Sequence, residues 1–207
     1  MIPETHILIF AKAPHAGLAK TRLIPALGPQ GAAALAERLL NHAIHEALGA
    51  DLGPVTLLRT PDDAGAWSDI PLPTRLTTAP QGDGDLGARL ARGAARVLAC
   101  GQQRVLVMGT DCPGLTQDRL RAMALALAAH DAVMTPVADG GYAALALSRF
   151  HPTLFGGIDW STSRVAQQTR EHIRALGWSL NEQPALWDID EPDDLRHLPG
   201  HWEECTG

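Results

Sequence analysis

The sequence predicts an α/β fold in which a mostly parallel sheet is flanked by helices. Three observations predict it. Short apolar runs alternate along the chain with longer stretches whose apolar residues recur every three or four positions. The runs are apolar enough to be buried on both faces, as parallel strands are. Four polar, motif-bearing clusters begin directly after a run, and open α/β sheets bind ligands outside the carboxyl ends of their strands.

The elements follow in order. Residues 7–11 form a first strand, ended by a loop with Pro14 and Gly17. In residues 30–49, Leu35, Leu39, Ala43 and Ala47, with Leu40, Ile44 and Leu48, define one helix face. Residues 55–60 are the second strand. Leu86, Leu90, Ala94, Val97 and Leu98 mark a helix ending near Gly101, and residues 104–109 (RVLVMG) are the most strand-like stretch in the chain. Thr116 is expected to cap a helix carrying Leu120, Met123 and Leu127. Residues 133–137 and 142–147 are strands separated by the turn Asp139-Gly140-Gly141. Ser161 is expected to cap a helix with Val165, Ile173 and Leu176 inward. A last strand is expected within 178–188, with Pro192 in the first turn of a short terminal helix. With no internal repeat or linker, residues 1–207 read as one domain.

Composition narrows the function classes. Apolar residues are 45% and charged residues 19% of 207, which is globular composition, and the net charge of −6 argues against a nucleic-acid partner. No run approaches the ~18 apolar residues of a membrane span, so no membrane association is expected. Three cysteines (Cys100, Cys112, Cys205) without C-x-x-C spacing fit a reducing cytoplasm. His42 with His45 and His197 with His201 lack a third ligand at metal spacing and read as surface histidines.

The four clusters carry the chemistry. The first, KAPHAGLAKTR at 12–22, holds both lysines of the chain. Lys20 can meet a pyrophosphate as a point charge and Arg22 as a fork, with Ala16 and Gly17 letting backbone N–H groups converge. The spacing is not that of a Walker A loop. The second places Gly82, Gly84 and Gly87 in a G-x-G-x-x-G pattern after Gln81. It lies outside a first βαβ unit, so it reads as a flexible loop entering a helix and able to close over a nucleotide. In the third, Gly109-Thr110-Asp111-Cys112-Pro113, Asp111 projects a carboxylate suited to Mg²⁺ shared with substrate phosphates, and Cys112 reads as a buried filler. In the fourth, Asp188 and Asp190 fall on one side of an extended segment, either able to face Asp111 across a cleft. Asp190 could equally cap the helix at Pro192. Carboxylates of Asp111 and Asp190 more than ~10 Å apart would exclude a single shared metal.

Taken together, A-K-A-P-x-x-G-x-x-K-T-R-L (11–23), Q-G-x-G-D-L-G-x-R-L (81–90), G-T-D-C-P-x-L (109–115), D-G-G-Y (139–142), W-S-T (160–162) and D-I-D-x-x-D-D-L (188–195) resemble one family. It is the bacterial radical-SAM/selenodomain-associated transferase 1 family, also described as glycosyltransferase-like and linked to arsenosugar biosynthesis. The resemblance spans residues 7–195. It implies the GT-A-like nucleotide-diphospho-sugar transferase fold and Mg²⁺ or Mn²⁺ at Asp111 and Asp190, with Asp188 beside them. It further implies a nucleotide site of Ala11, Lys12, Pro14, Gly17, Lys20, Arg22, Gln81, Gly82, Gly84, Gly87 and Thr110. The first loop departs from the G-G-x-S-x-R-M-G of molybdopterin-guanylyltransferase-like enzymes, which leaves the base open.

Lys20, Arg22 and Asp111 are then the candidate catalytic groups. The acceptor side would be Gly140, Gly141, Tyr142, Trp160 and Ser161, with Asp139 or Asp159 as general base for an acceptor hydroxyl. The expected substrates are a nucleotide-sugar or nucleoside triphosphate and a small-molecule acceptor. Glycosyl transfer is the favoured reading, followed by nucleotidyl transfer releasing pyrophosphate and then a non-catalytic nucleotide-binding module.

Overall fold

In the computed structural model, which describes residues 2, 4–100, 104–200 and 202, seven strands form one sheet. Gly101, His201 and Cys205 lie outside the described residues. The strands are β1 (His6–Lys12), β2 (Val55–Thr60), β3 (Thr77–Pro80), β4 (Val105–Met108), β5 (Ala132–Pro136), β6 (Tyr142–Leu147) and β7 (Leu180–Glu182). Their order is β3-β2-β1-β4-β6-β5-β7, and β6 alone runs antiparallel to its two neighbours. Helices α1 (Ile24–Gly49) and α3 (Gln117–Ala126) cover one face, α2 (Leu86–Ala99) and α4 (Val165–Ala175) the other.

The side-chain alternation of a strand explains why the runs are apolar throughout. In β1, Ile7, Ile9 and Ala11 join Leu40, Ile44 and Leu120 on one face, while Leu8 and Phe10 join Leu90, Ala94 and Phe155 on the other. Central strands of this kind have no solvent face to supply polar residues. Among the described residues no helix is long and apolar enough to cross a membrane.

Several local expectations are revised. Helix α1 begins at Ile24, ahead of residue 30, and bends where Gly28 adopts φ 69 before Pro29. Edge strand β3 escapes the sequence pattern because its TTAP side chains are largely exposed. Thr116 flanks α3 without a side-chain cap bond. Gln117 N instead donates to the buried Glu46 Oε2 at 2.6 Å, a cap supplied from α1. Ser161 does not cap α4: it sits in a left-handed turn (φ 63), and Arg164 directly precedes the helix. The terminal helix is a 3-10 turn, Pro192–His197, entered from Glu191 rather than Asp190. Asp194 Oδ2 accepts from Glu191 N at 2.7 Å and from Asp190 N at 3.1 Å.

The glycine loop at 81–87 is braced rather than free. Arg92 donates to the carbonyls of Gln81 (2.6 Å) and Asp83 (2.8 Å), Arg89 Nε to that of Gly84 (2.9 Å), and Asp85 caps α2 through Ala88 N at 2.8 Å.

Candidate active site

The carboxyl ends of β1 and β4, neighbours at the middle of the sheet, bring the first and third clusters together. The fourth cluster is laid against the third by backbone and thiol contacts. Ile189 N donates to Asp111 O at 2.9 Å, and Cys112 Sγ donates to Trp187 O at 3.2 Å.

Lys20 closes the arrangement. Its backbone is left-handed (φ 48), which turns the side chain inward from the loop, and the side chain is only 5% exposed. Nζ donates to Asp111 Oδ1 at 2.6 Å, to Asp190 Oδ1 at 3.0 Å and to Ile189 O at 2.6 Å. Burial is the largest influence on this ammonium and lowers its pKa. The charges and hydrogen bonds of Asp111 and Asp190 together outweigh burial and hold the pKa above the ordinary lysine value. Lys20 is therefore not a solvated loop lysine. Asp111 and Asp190 stay 48% and 42% exposed, open to a ligand from the solvent side. Arg22 lies 60% exposed at the rim, 3.5 Å from Asp190 and 3.8 Å from Glu191.

Next to this cluster a cavity of about 280 Å³ opens over β1, β4 and β6. Its walls are apolar, with Phe10, Leu90, Val107 and Trp160 prominent, and Asp139 and Asp188 supply its charge. Trp160 meets Tyr142 edge to face at 6.5 Å. Two glycines hold the walls in place. A Cβ at Gly87 would collide with the Phe155 carbonyl and lie 2.6 Å from Trp160 Nε1. One at Gly140, where φ is 95, would collide with the Ser163 carbonyl oxygen and lie 2.7 Å from Ser163 Cα. The Asp188 carboxyl is pushed up to about 6, first by burial and then by the charge of Asp139, with Asp190 and Asp194 adding to it.

The structure thus brings Lys20, Arg22, Asp111 and Asp190 together. The two carboxylate oxygens on Lys20 Nζ lie no further apart than the two ion-pair distances combined, well inside the ~10 Å set for a shared metal. Thr110 Oγ1 adjoins Asp111 Oδ1 at 3.4 Å. Asp188, Asp139, Gly141, Tyr142, Trp160 and Ser161 gather at the cavity. Asp159 is not among its lining residues, because its carboxylate is held by Arg164 at 2.9 Å and Gln168 at 3.0 Å. Gln81 is buried, its amide donating to Ala11 O and Leu58 O, so it ties the ends of β1 and β2. Burial pushes the Cys112 thiol up to about 12, that of an inert filler.

Among the described residues no three His, Cys, Asp or Glu side chains converge as a ready metal cage. The donor chemistry nevertheless fits a divalent cation. Two open carboxylates already share one cation, the Lys20 ammonium, and hard cations bound with phosphates use only one or two carboxylates. The apolar cavity wall was the part missed from sequence. Phe10, Leu86 and Leu90 read as core because they share the strand and helix periods of true core residues.

Comparison with known proteins defines the class first: the chain has the nucleotide-diphospho-sugar transferase-like fold. It superposes on a candidate nucleotide-diphospho-sugar transferase from Desulfovibrio desulfuricans G20 with a TM-score of 0.88 and 28% identity, covering 96% of this chain and 87% of that one. The manganese complex of Rv0371c from Mycobacterium tuberculosis H37Rv shares the fold at a TM-score of 0.55 and 18% identity, covering 94% and 97%. In sequence the chain is similar to the phosphoenolpyruvate guanylyltransferase of Chloroflexus aggregans (strain MD-66 / DSM 9485), 29% identical over 184 residues, 86% of this chain and 89% of that protein. Residues 42–162 match the family described as uncharacterized proteins conserved in bacteria, DUF2064, and the chain belongs to that family.

Proposed function

We propose that the protein is a metal-dependent transferase acting on a nucleotide-activated donor, and that it transfers a glycosyl group from a nucleotide-diphosphate sugar. The observation that carries this is the Asp111–Lys20–Asp190 cluster at the carboxyl edge of the sheet, beside a cavity with its own carboxylates. The likeness to the Desulfovibrio protein supports the sugar-nucleotide donor, and the resemblance to the radical-SAM-associated transferase family points the same way. Residues 1–207 would act as one catalytic domain, in the cytoplasm.

In this reading Lys12, Lys20 and Arg22 face the donor phosphates, with the loop residues Ala11, Pro14 and Gly17 framing them. The braced turn of Gln81, Gly82, Gly84 and Gly87, with Thr110, borders the nucleotide. Asp111 and Asp190, with Asp188 beside them, would hold Mg²⁺ or Mn²⁺, and the manganese complex of Rv0371c supports that choice. When bound, the cation neutralises charge on the departing diphosphate. The acceptor enters the cavity past Gly140, Gly141, Tyr142, Trp160 and Ser161. Its oxygen attacks the anomeric carbon, the bond from that carbon to phosphate oxygen breaks, and the pair leaves on the nucleoside diphosphate. The acceptor proton passes to Asp139, which lines the cavity. Asp159 would position Arg164 rather than take that proton.

Nucleotidyl transfer from a triphosphate is the second reading, favoured by the similarity to the Chloroflexus guanylyltransferase and by the basic first loop. Both readings require metal-dependent nucleotide binding. Thermal-shift titration of nucleotide sugars and triphosphates with Mn²⁺ should raise Tm for at least one nucleotide, and Asp111→Asn should weaken the affinity for that nucleotide at least tenfold. Equal affinity in the variant, or no nucleotide bound, would remove the proposal.

A further inference from the structure

The cavity beside the carboxylate cluster says what kind of acceptor it takes. Among the described residues that line it there is no lysine, arginine or histidine, while Asp139 and Asp188 both face it. Neighbouring cations are largely committed elsewhere, and Lys12, two residues beyond Phe10 on β1, goes to the donor phosphates in the transferase reading. Lys20 is shared by Asp111 and Asp190, Arg164 is paired with Asp159 at 2.9 Å, and Arg89 and Arg92 donate to carbonyls of the 81–87 loop.

We infer that the acceptor is a hydroxyl-bearing compound with an apolar body and no negative charge, and that phosphorylated or carboxylated acceptors are rejected. The inference rests on the transferase reading and deepens it by naming the substrate class. Phosphoenolpyruvate, the compound named for the Chloroflexus relative, carries a phosphate and a carboxylate, and each would enter a space whose described lining holds carboxylates and no cationic side chain, the metal being taken up by the donor phosphates. A desolvated anion without a partner is unfavourable, and like charge opposite it adds to the discrimination. An uncharged ligand meets the reverse situation. Phe10, Leu90 and the Trp160 ring cover its apolar face, while the two carboxylates and the Ser161 hydroxyl accept its O–H groups. A protonated amine has no lone pair with which to attack the donor, so the attacking group is a hydroxyl.

The charge preference can be read with isosteric probes. Benzyl alcohol and benzoate share a ring and differ in charge. Titrated against the full chain with Mn²⁺ present, benzyl alcohol should quench tryptophan fluorescence saturably, and the quench should be lost in Trp160→Phe. Benzoate should bind at least about tenfold more weakly. In Asp139→Asn, which keeps the side-chain oxygen that accepts from Gly141 N at 2.8 Å, the ratio should fall towards parity. Benzoate binding as well as the alcohol, no saturable quench by the alcohol, or an unchanged ratio in the variant would each overturn the inference.

A turnover arm separates this from the reading on which it rests. Phosphoenolpyruvate with GTP and Mn²⁺ should release no pyrophosphate. Release at submillimolar phosphoenolpyruvate would overturn the acceptor class while leaving metal-dependent nucleotide chemistry standing. Loss of all nucleotide binding would instead remove the transferase reading and leave the probe order intact.

Discussion

Replacing Lys20 by methionine removes the ammonium shared by Asp111 and Asp190 while keeping most of the side-chain volume. Stripping one partner from a fully buried ion pair costs about 3–5 kcal/mol. Here the lysine is 5% exposed but its partners are 48% and 42% exposed, so water re-solvates them and most of that cost is recovered. A loss of about 1–2 kcal/mol remains, equivalent to about 2–8 °C in Tm for a domain of this size. The carboxylates left behind repel each other and attract cations. Mn²⁺ should therefore raise the Tm of Lys20→Met by more than that of the parent, because the metal no longer competes with an ammonium. Differential scanning calorimetry with and without Mn²⁺ measures both quantities. The double variant Lys20→Met/Asp111→Asn should be less destabilised than the sum of the single variants, since neutralising one carboxylate relieves the repulsion. A Tm within 1 °C of the parent, or identical Mn²⁺ shifts in both proteins, would show that Lys20 does not hold the two carboxylates together.

Two other expectations concern the frame of the site. Gly140→Ala forces a side chain onto a backbone at φ 95 against the Ser163 main chain, so urea unfolding should show a loss of about 2–4 kcal/mol, and an unchanged midpoint would contradict the packing described. Thiol alkylation of the native protein at pH 8 should modify the exposed Cys100 and spare Cys112, whose thiol is pushed up to about 12; mass spectrometry showing equal labelling of the two would refute that burial.

How far the sequence reached depends on which interactions are local. β2 and β6 keep their expected bounds and β1 and β4 nearly so, because the buried positions of these strands are filled by short apolar runs. The four clusters were found because ligand sites follow strands, and Lys20, Asp111 and Asp190 do meet. What the sequence withheld are partners far along the chain. Nothing local shows that Glu46 caps α3, or that Gln81 spends its amide on the ends of β1 and β2. Asp139 and Asp159 looked alike as candidate bases until the fold gave Asp159 to Arg164 and Gln168. Ser161 has the residue type of a cap, but the turn after Trp160 holds it away from the first turn of α4.

What leaves the donor distinguishes glycosyl from nucleotidyl transfer. With a nucleotide sugar that binds, Mn²⁺ and an uncharged hydroxyl acceptor, the products should be a nucleoside diphosphate and the glycosylated acceptor, resolved by ion-exchange chromatography and mass spectrometry. Asp111→Asn should suppress their formation by about two orders of magnitude or more. Metal-dependent exchange of labelled pyrophosphate into a triphosphate, abolished by Asp111→Asn and seen where no activated sugar is consumed, would contradict glycosyl transfer.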